Sequence, residues 1–80
     1  MEITERIKIE LKKLGNNIQK IRKEQNITTE QLSELSGIKK ELLEKIENGT
    51  AYNVKLNKYI LKIAEALNIT LYQIFDYNNK

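Results

Sequence analysis

The sequence predicts an all-α fold, a compact bundle of about five short helices. Three observations carry that prediction. Apolar residues recur at helical steps of three and four nearly throughout the 80 residues. Thr28-Thr29-Glu30-Gln31 and Thr70-Leu71-Tyr72-Gln73 both have the form of a capping box, in which a Thr hydroxyl and a Gln side chain satisfy the first backbone amides of a helix. No segment alternates with period two between turn dipeptides, and no proline breaks the chain.

Taken in order, Ile7, Leu11, Leu14, Ile18 and Ile21 follow one another at steps of 4, 3, 4 and 3 and form one helical stripe. Gly15 lies within it, and either weakens one long helix or marks a join between a leading helix and a second. Ile3, Ile7 and Leu11 give the leading segment an apolar face of its own. That face is expected to pack on the same domain, with a dimer contact as the functional alternative. Residues 1–13 are accordingly read as an N-terminal helical extension and 14–76 as the main domain. Asn26 ends the first segment, because Asn tolerates the left-handed conformation at a helix C-terminus. Thr28 starts a short helix with Leu32 and Leu35 as its buried face, closed by Gly37. Leu42, Leu43 and Ile46 define another, stopped at Asn48-Gly49. Residues 50–55 read as an irregular loop. Leu56, Ile60, Ile63 and Leu67 make a further stripe with Ala64 and Ala66 beside it, and Leu71, Ile74 and Phe75 follow the second capping box. The polar tail from Asp76 to Lys80 is expected to fray. Tyr52, Tyr59, Tyr72 and Tyr77 are expected at the edge of the core rather than as a stacking platform for single strands.

Composition closes off several functions. The chain has no Cys and no His, which removes thiolate chemistry, disulfides, the commonest general base and the commonest zinc ligand. Glu41, Glu44 and Glu47 read as a solvated helix surface rather than a catalytic dyad, and the three glycines stand apart, so no phosphate-cradling loop exists. No enzyme activity, metal, cofactor or small-molecule substrate is expected. No apolar run approaches the ~20 residues of a membrane span, and the N-terminus lacks the apolar core of a signal peptide. A soluble, cytoplasmic protein with no membrane partner and no room for a sensor domain is expected. Lys and Arg number 14 against 11 acidic residues, a net of +3 that permits a nucleic-acid partner.

The informative stretch is 28–49. A capped short helix, a tight turn at Gly37-Ile38-Lys39 and a second short helix together make a helix-turn-helix, whose second helix protrudes in the way that enters a major groove. With Leu14-Gly15, Ile18 and Ile21-Arg22 before it, Ile27 through Ile38 within it, Ile46-Glu47-Asn48-Gly49 at its close and Ile63 to Phe75 after it, the chain resembles the lambda-repressor-like, Cro/C1-type (XRE) helix-turn-helix regulators over about residues 14–75.

The resemblance implies a five-helix domain that binds double-stranded DNA as a homodimer on a palindromic operator, acting as a bacterial, phage or plasmid-borne repressor or small controller. It implies a recognition helix from near Lys39 to about Asn48, with Lys40, Glu41, Glu44 and Lys45 outward and Leu42 partly exposed. Thr29 falls at the start of the preceding helix, and Asn48 and Lys55 fall where the chain passes a phosphate strand. Arg22 and Glu47 fall where the family often has an ion pair joining the first and third helices. Leu42 is expected to be partly buried, or else to meet a thymine methyl or a partner protein. Charge is distributed unevenly. From Thr28 to Gly49 three Lys face five Glu, a net of −2, whereas residues 1–26 carry seven basic groups against four Glu, a net of +3. Glu41, Leu42 and Glu44 on the reading face motivate the alternative of a protein-interaction module on the same fold, antitoxin-like or anti-repressor-like.

Overall fold

The Thr4 hydroxyl accepts from the Ile7 amide at 3.2 Å and caps the first helix, α1 (Glu5–Glu24), in a computed structural model that describes residues 4–52 and 54–76. Ile3, Tyr77 and most of the predicted polar tail lie outside the described residues. Four helices follow: α2 (Thr29–Ser36), α3 (Lys40–Glu47), α4 (Leu56–Leu67) and α5 (Leu71–Phe75), with no strand among the described residues. The all-α fold of five helices is the one the periodicity predicts. One of them is not short, since α1 runs for 20 residues against eight for α2 and α3.

Gly15 does not divide α1, and the boundary drawn after residue 13 falls inside this single rod. The glycine is there for space. A Cβ at position 15 would run into the backbone oxygens of Ile46 and Glu47, in the last turn of α3. A Cβ on Gly49 would lie 2.7 Å from Lys12 Cα, and Gly49 also has φ of +74°. Two glycines, one on each partner, therefore let α1 cross the C-terminus of α3 backbone to backbone. The cost of a glycine inside a helix, about 1 kcal/mol relative to Ala, is offset by that contact.

Both capping boxes form, with reciprocal bonds between Thr28 and Gln31 and between Thr70 and Gln73. Asn26 takes φ of +60° just past α1, as its sequence position suggests, and Asn68 does the same after α4. Ile18, Leu32, Leu43, Ile63, Leu67 and Ile74 are fully buried, so every helix contributes to one core. Each such side chain is worth roughly 1.5–3 kcal/mol of transfer free energy.

Three expectations are corrected. Glu47, read with Glu41 and Glu44 as a solvated surface, is buried at 3% exposure because Arg22 pairs with it beneath α3. Leu35 is 60% exposed, because the inward arc of α2 runs through Thr29, Leu32, Ser33 and Ser36 and leaves position 35 outside it. Tyr72 is 72% exposed on α5, where only Ile74 turns inward.

Polar side chains finish the helix ends. Asn17, buried on α1, donates to the carbonyl oxygens of Gln73 and Ile74 at the end of α5. Gln25 donates to the Leu67 carbonyl at 2.8 Å, at the end of α4. These are the last-turn carbonyls that a helix cannot satisfy by itself. No buried side-chain polar atom among the described residues lacks a partner.

Candidate nucleic-acid interface

The turn between α2 and α3 sets the direction in which α3 points. Gly37 adopts φ of +75° with no heavy atom near the place of a Cβ, so glycine is needed here for conformation and not for space. Two serines knit the turn: Ser33 Oγ donates to the Ile38 carbonyl at 2.6 Å, and Ser36 Oγ accepts from the Ile38 amide at 3.2 Å. Ile38 is buried beneath them and anchors the turn to the core.

From below, α3 is held by Leu43 and Ile46 and by an ion pair to α1. Arg22 grips Glu47 with both arms of its guanidinium, Nε to Oε2 at 2.7 Å and Nη2 to Oε1 at 3.0 Å, and its remaining nitrogen donates to the Ile27 carbonyl at 2.7 Å. Both side chains are buried, and the bidentate geometry with a third bond satisfies the guanidinium on three sides. The pair fixes the roll of α3 and so decides which residues face out.

Those residues are Glu41, Glu44 and Lys45, exposed, with Lys40 and Leu42 half-buried. Lys39 sits exposed at the N-cap of α3 and makes no side-chain cap. Thr29, Glu44 and Asn48 come together around a cleft of about 260 Å³, floored by Arg22 and Glu47 and bordered by Gln19 of α1. Leu42 packs against the core and, with Lys45, borders a second cleft of about 230 Å³ against Ala51, Tyr52 and Val54 of the following loop. Lys55 stands exposed at the N-cap of α4 and lines neither cleft.

Lys40 has a partner that spacing arguments do not supply. Its Nζ donates to Glu30 Oε2 at 2.8 Å, across the turn from the first turn of α2. That hydrogen bond, more than the Coulomb attraction, holds the Glu30 carboxyl below its ordinary range and raises the Lys40 ammonium above its own. Positions 30 and 40 are ten apart and on different helices, so only the turn geometry brings them together. Asn17 is likewise invisible as a function, though of the adjacent Asn16 and Asn17 only Asn17 stands at helical steps of three and four from Leu14 and Ile21, which is a signal of a buried polar contact.

An uncapped amphipathic helix, projected by a glycine turn and braced from beneath by a buried ion pair, defines a helix-turn-helix DNA-binding domain. The chain belongs to the Cro/C1-type family of such domains, a family of transcriptional regulators, whose model matches residues 17–80. It is similar to the restriction-modification controller protein C.AhdI from Aeromonas hydrophila, at 33% identity and a TM-score of 0.76, over 84% of this chain and 98% of that one. It also shares its fold with an HTH_3 family transcriptional regulator from Vibrio cholerae, at 22% identity and a TM-score of 0.80, over 91% of this chain and 39% of the Vibrio chain. No curated protein matches it. No helix among the described residues is long and apolar enough to cross a membrane, and none of their acidic side chains cluster as a metal site would require.

Proposed function

We propose that this protein is a sequence-specific regulator of transcription that binds double-stranded DNA as a homodimer on a palindromic operator, in the cytoplasm, as a repressor or small controller. The observation that carries the reading is the presentation of α3, whose outward side chains Lys40, Glu41, Glu44 and Lys45 stand clear of the core on a braced helix. Lys suits the acceptor edge of guanine and Glu the amino group of cytosine, so this face is equipped for base readout in a major groove. That Thr29 and Asn48 both line the cleft beside α3 supports a role for them at the flanking phosphates. The likeness to a controller protein along nearly its whole length favours a small controller.

Dimerisation is supported by apolar side chains left uncovered on the last two helices. Leu61 on α4 and Leu71, Tyr72 and Phe75 on α5 are all exposed. A homodimer with two-fold symmetry presents two copies of α3 to half-sites about 34 Å apart, one helical turn. Selection from a random duplex pool tests both parts at once. The expected product is an inverted repeat with that spacing, bound by a species of twice the chain mass in analytical ultracentrifugation. Equal affinity for the selected and a scrambled duplex at physiological salt would sink the reading.

A further inference from the structure

Most of the basic charge in this chain lies away from the helix expected to read bases. The N-terminal half of α1 lies against the chain as it leaves α3, with the Lys12 Cα within van der Waals reach of Gly49. The two segments enclose an open groove of about 400 Å³ lined by Lys8, Ile9 and Lys12 on one side and Gly49, Thr50 and Tyr52 on the other. Lys8 and Lys12 are one helical turn apart and share a face. Both are exposed, and among the described residues neither is in an ion pair. Lys13 also lines the groove but is paired with Glu10 at 3.8 Å, and Glu5 is the one carboxylate among the lining residues. The groove is thus net positive, and its apolar surface comes from Ile9 and Tyr52.

We infer that this groove is a second DNA contact, a clamp on the sugar-phosphate backbone beside each half-site, built from Lys8 and Lys12 of α1 and the Asn48–Thr50 exit from α3. The inference rests on the DNA-binding function proposed above and extends it to a surface outside the helix-turn-helix. Lys8 and Lys12 both precede residue 17, where the family match begins. The occupant follows from chemistry and position. A DNA strand alternates phosphates with apolar deoxyribose faces, which matches a lysine pair set beside Ile9 and Tyr52. The strand that passes Asn48 on leaving the major groove is carried toward Thr50 and Lys12, because those residues adjoin one another. The clamp also answers the charge problem. The helix-turn-helix is net negative, so phosphate neutralisation must come from elsewhere on the surface.

Such a clamp supplies affinity without sequence preference. The test compares the wild type with Lys8→Gln/Lys12→Gln and with Lys20→Gln/Lys23→Gln, which removes the same charge about three turns further along α1. Each is titrated by fluorescence anisotropy against the selected duplex and a scrambled duplex of equal length over a salt series. For Lys8→Gln/Lys12→Gln, the slope of log affinity against log salt should become shallower by about 0.9 for every phosphate that is no longer neutralised. Affinity for the two duplexes should fall by the same factor, leaving their ratio unchanged. The Lys20→Gln/Lys23→Gln variant should keep most of the slope. An unchanged slope, an equal loss in both variants, or a changed ratio between the duplexes overturns the clamp while leaving base reading by α3 intact. Failure of the wild type to prefer the selected duplex overturns the underlying function, and the clamp with it.

Discussion

Two ion pairs tie α3 to its neighbours, and they differ in almost everything except charge. Arg22 and Glu47 join α1 to α3 beneath the surface, with side chains 8% and 3% exposed. Lys40 and Glu30 join α3 to α2 across the turn, with side chains 43% and 64% exposed. The first is bidentate, has a further bond to Ile27, and cannot exchange partners without unfolding its surroundings. The second is a single contact in water, open to replacement by any anion that approaches. One pair sets where α3 lies. The other occupies Lys40, a residue that the proposed function assigns to base reading. An ion pair thus acts as scaffold in one place and as a displaceable cover in the other, and burial together with the bidentate fork of Arg decides which.

The sharpest way to break this contrast is to remove one member of the buried pair. Glu47→Ala leaves Arg22 without its charge partner beneath the surface, and Arg22→Ala does the converse. Each should cost about 3–5 kcal/mol in urea unfolding followed by circular dichroism, which threatens the fold of an 80-residue domain. The double substitution Arg22→Met/Glu47→Leu removes both charges and should recover much of the loss, because an apolar pair of similar volume escapes the desolvation penalty. If the single variants lose under about 1 kcal/mol, the buried pair behaves like a surface pair and the contrast fails.

Next in size is the crossing that the pair spans. Gly15→Ala should gain about 1 kcal/mol of helix propensity, yet it places a methyl group against two backbone oxygens of α3, which cannot give as a flexible side chain can. Overpacking of this kind costs roughly 1–3 kcal/mol, so the net effect should be destabilising. A rise in melting temperature would mean that α1 and α3 cross less closely than described. Smaller again is the cap of α2. Thr28→Ala removes the hydroxyl that accepts from the Gln31 amide and should cost about 1 kcal/mol, with DNA affinity reduced only in proportion to stability.

These residues also show what the sequence made legible. The capping boxes and Gly37 were readable because each acts within a few residues, through hydroxyls and a left-handed turn that local spacing reveals. The split role of the glycines was not. Gly15 and Gly37 look alike in a sequence, but one serves a contact 31 residues away and the other serves its own backbone. Leu35 and Tyr72 point outward for a related reason: the tilt of α2 and α5 against the core selects one arc of each helix, and periodicity alone cannot say which of two adjacent arcs it will be. At the interface, spacing could nominate Lys40 but not Glu30, since their contact crosses a turn whose shape had first to be known. Leu42 is a poor anchor for a partner protein, because it is half-buried and packs against the core.

The smallest effect on stability belongs to the exposed pair, and it is the most informative about binding. Glu30→Gln should leave the melting temperature nearly unchanged at neutral pH, since both groups are well solvated. Its effect on DNA should be larger. Lys40 is released and one negative charge leaves the face proposed to meet DNA, so affinity should rise several-fold at low salt and the gain should shrink as salt is added. The pH dependence has a definite sign. Glu30 is held below its ordinary range, so its part in the pair is present above the unfolded carboxyl pKa and is lost as pH falls through the folded value. Lys40 is raised, so its part is present below the unfolded ammonium pKa and is lost as pH rises through the folded one. Between those limits wild type and Glu30→Gln should differ in DNA affinity by a constant factor. Below the Glu30 titration the two should converge, because a protonated carboxyl and an amide are both neutral. A gap that persists into acid would show that Glu30 acts on DNA binding through something other than its charge.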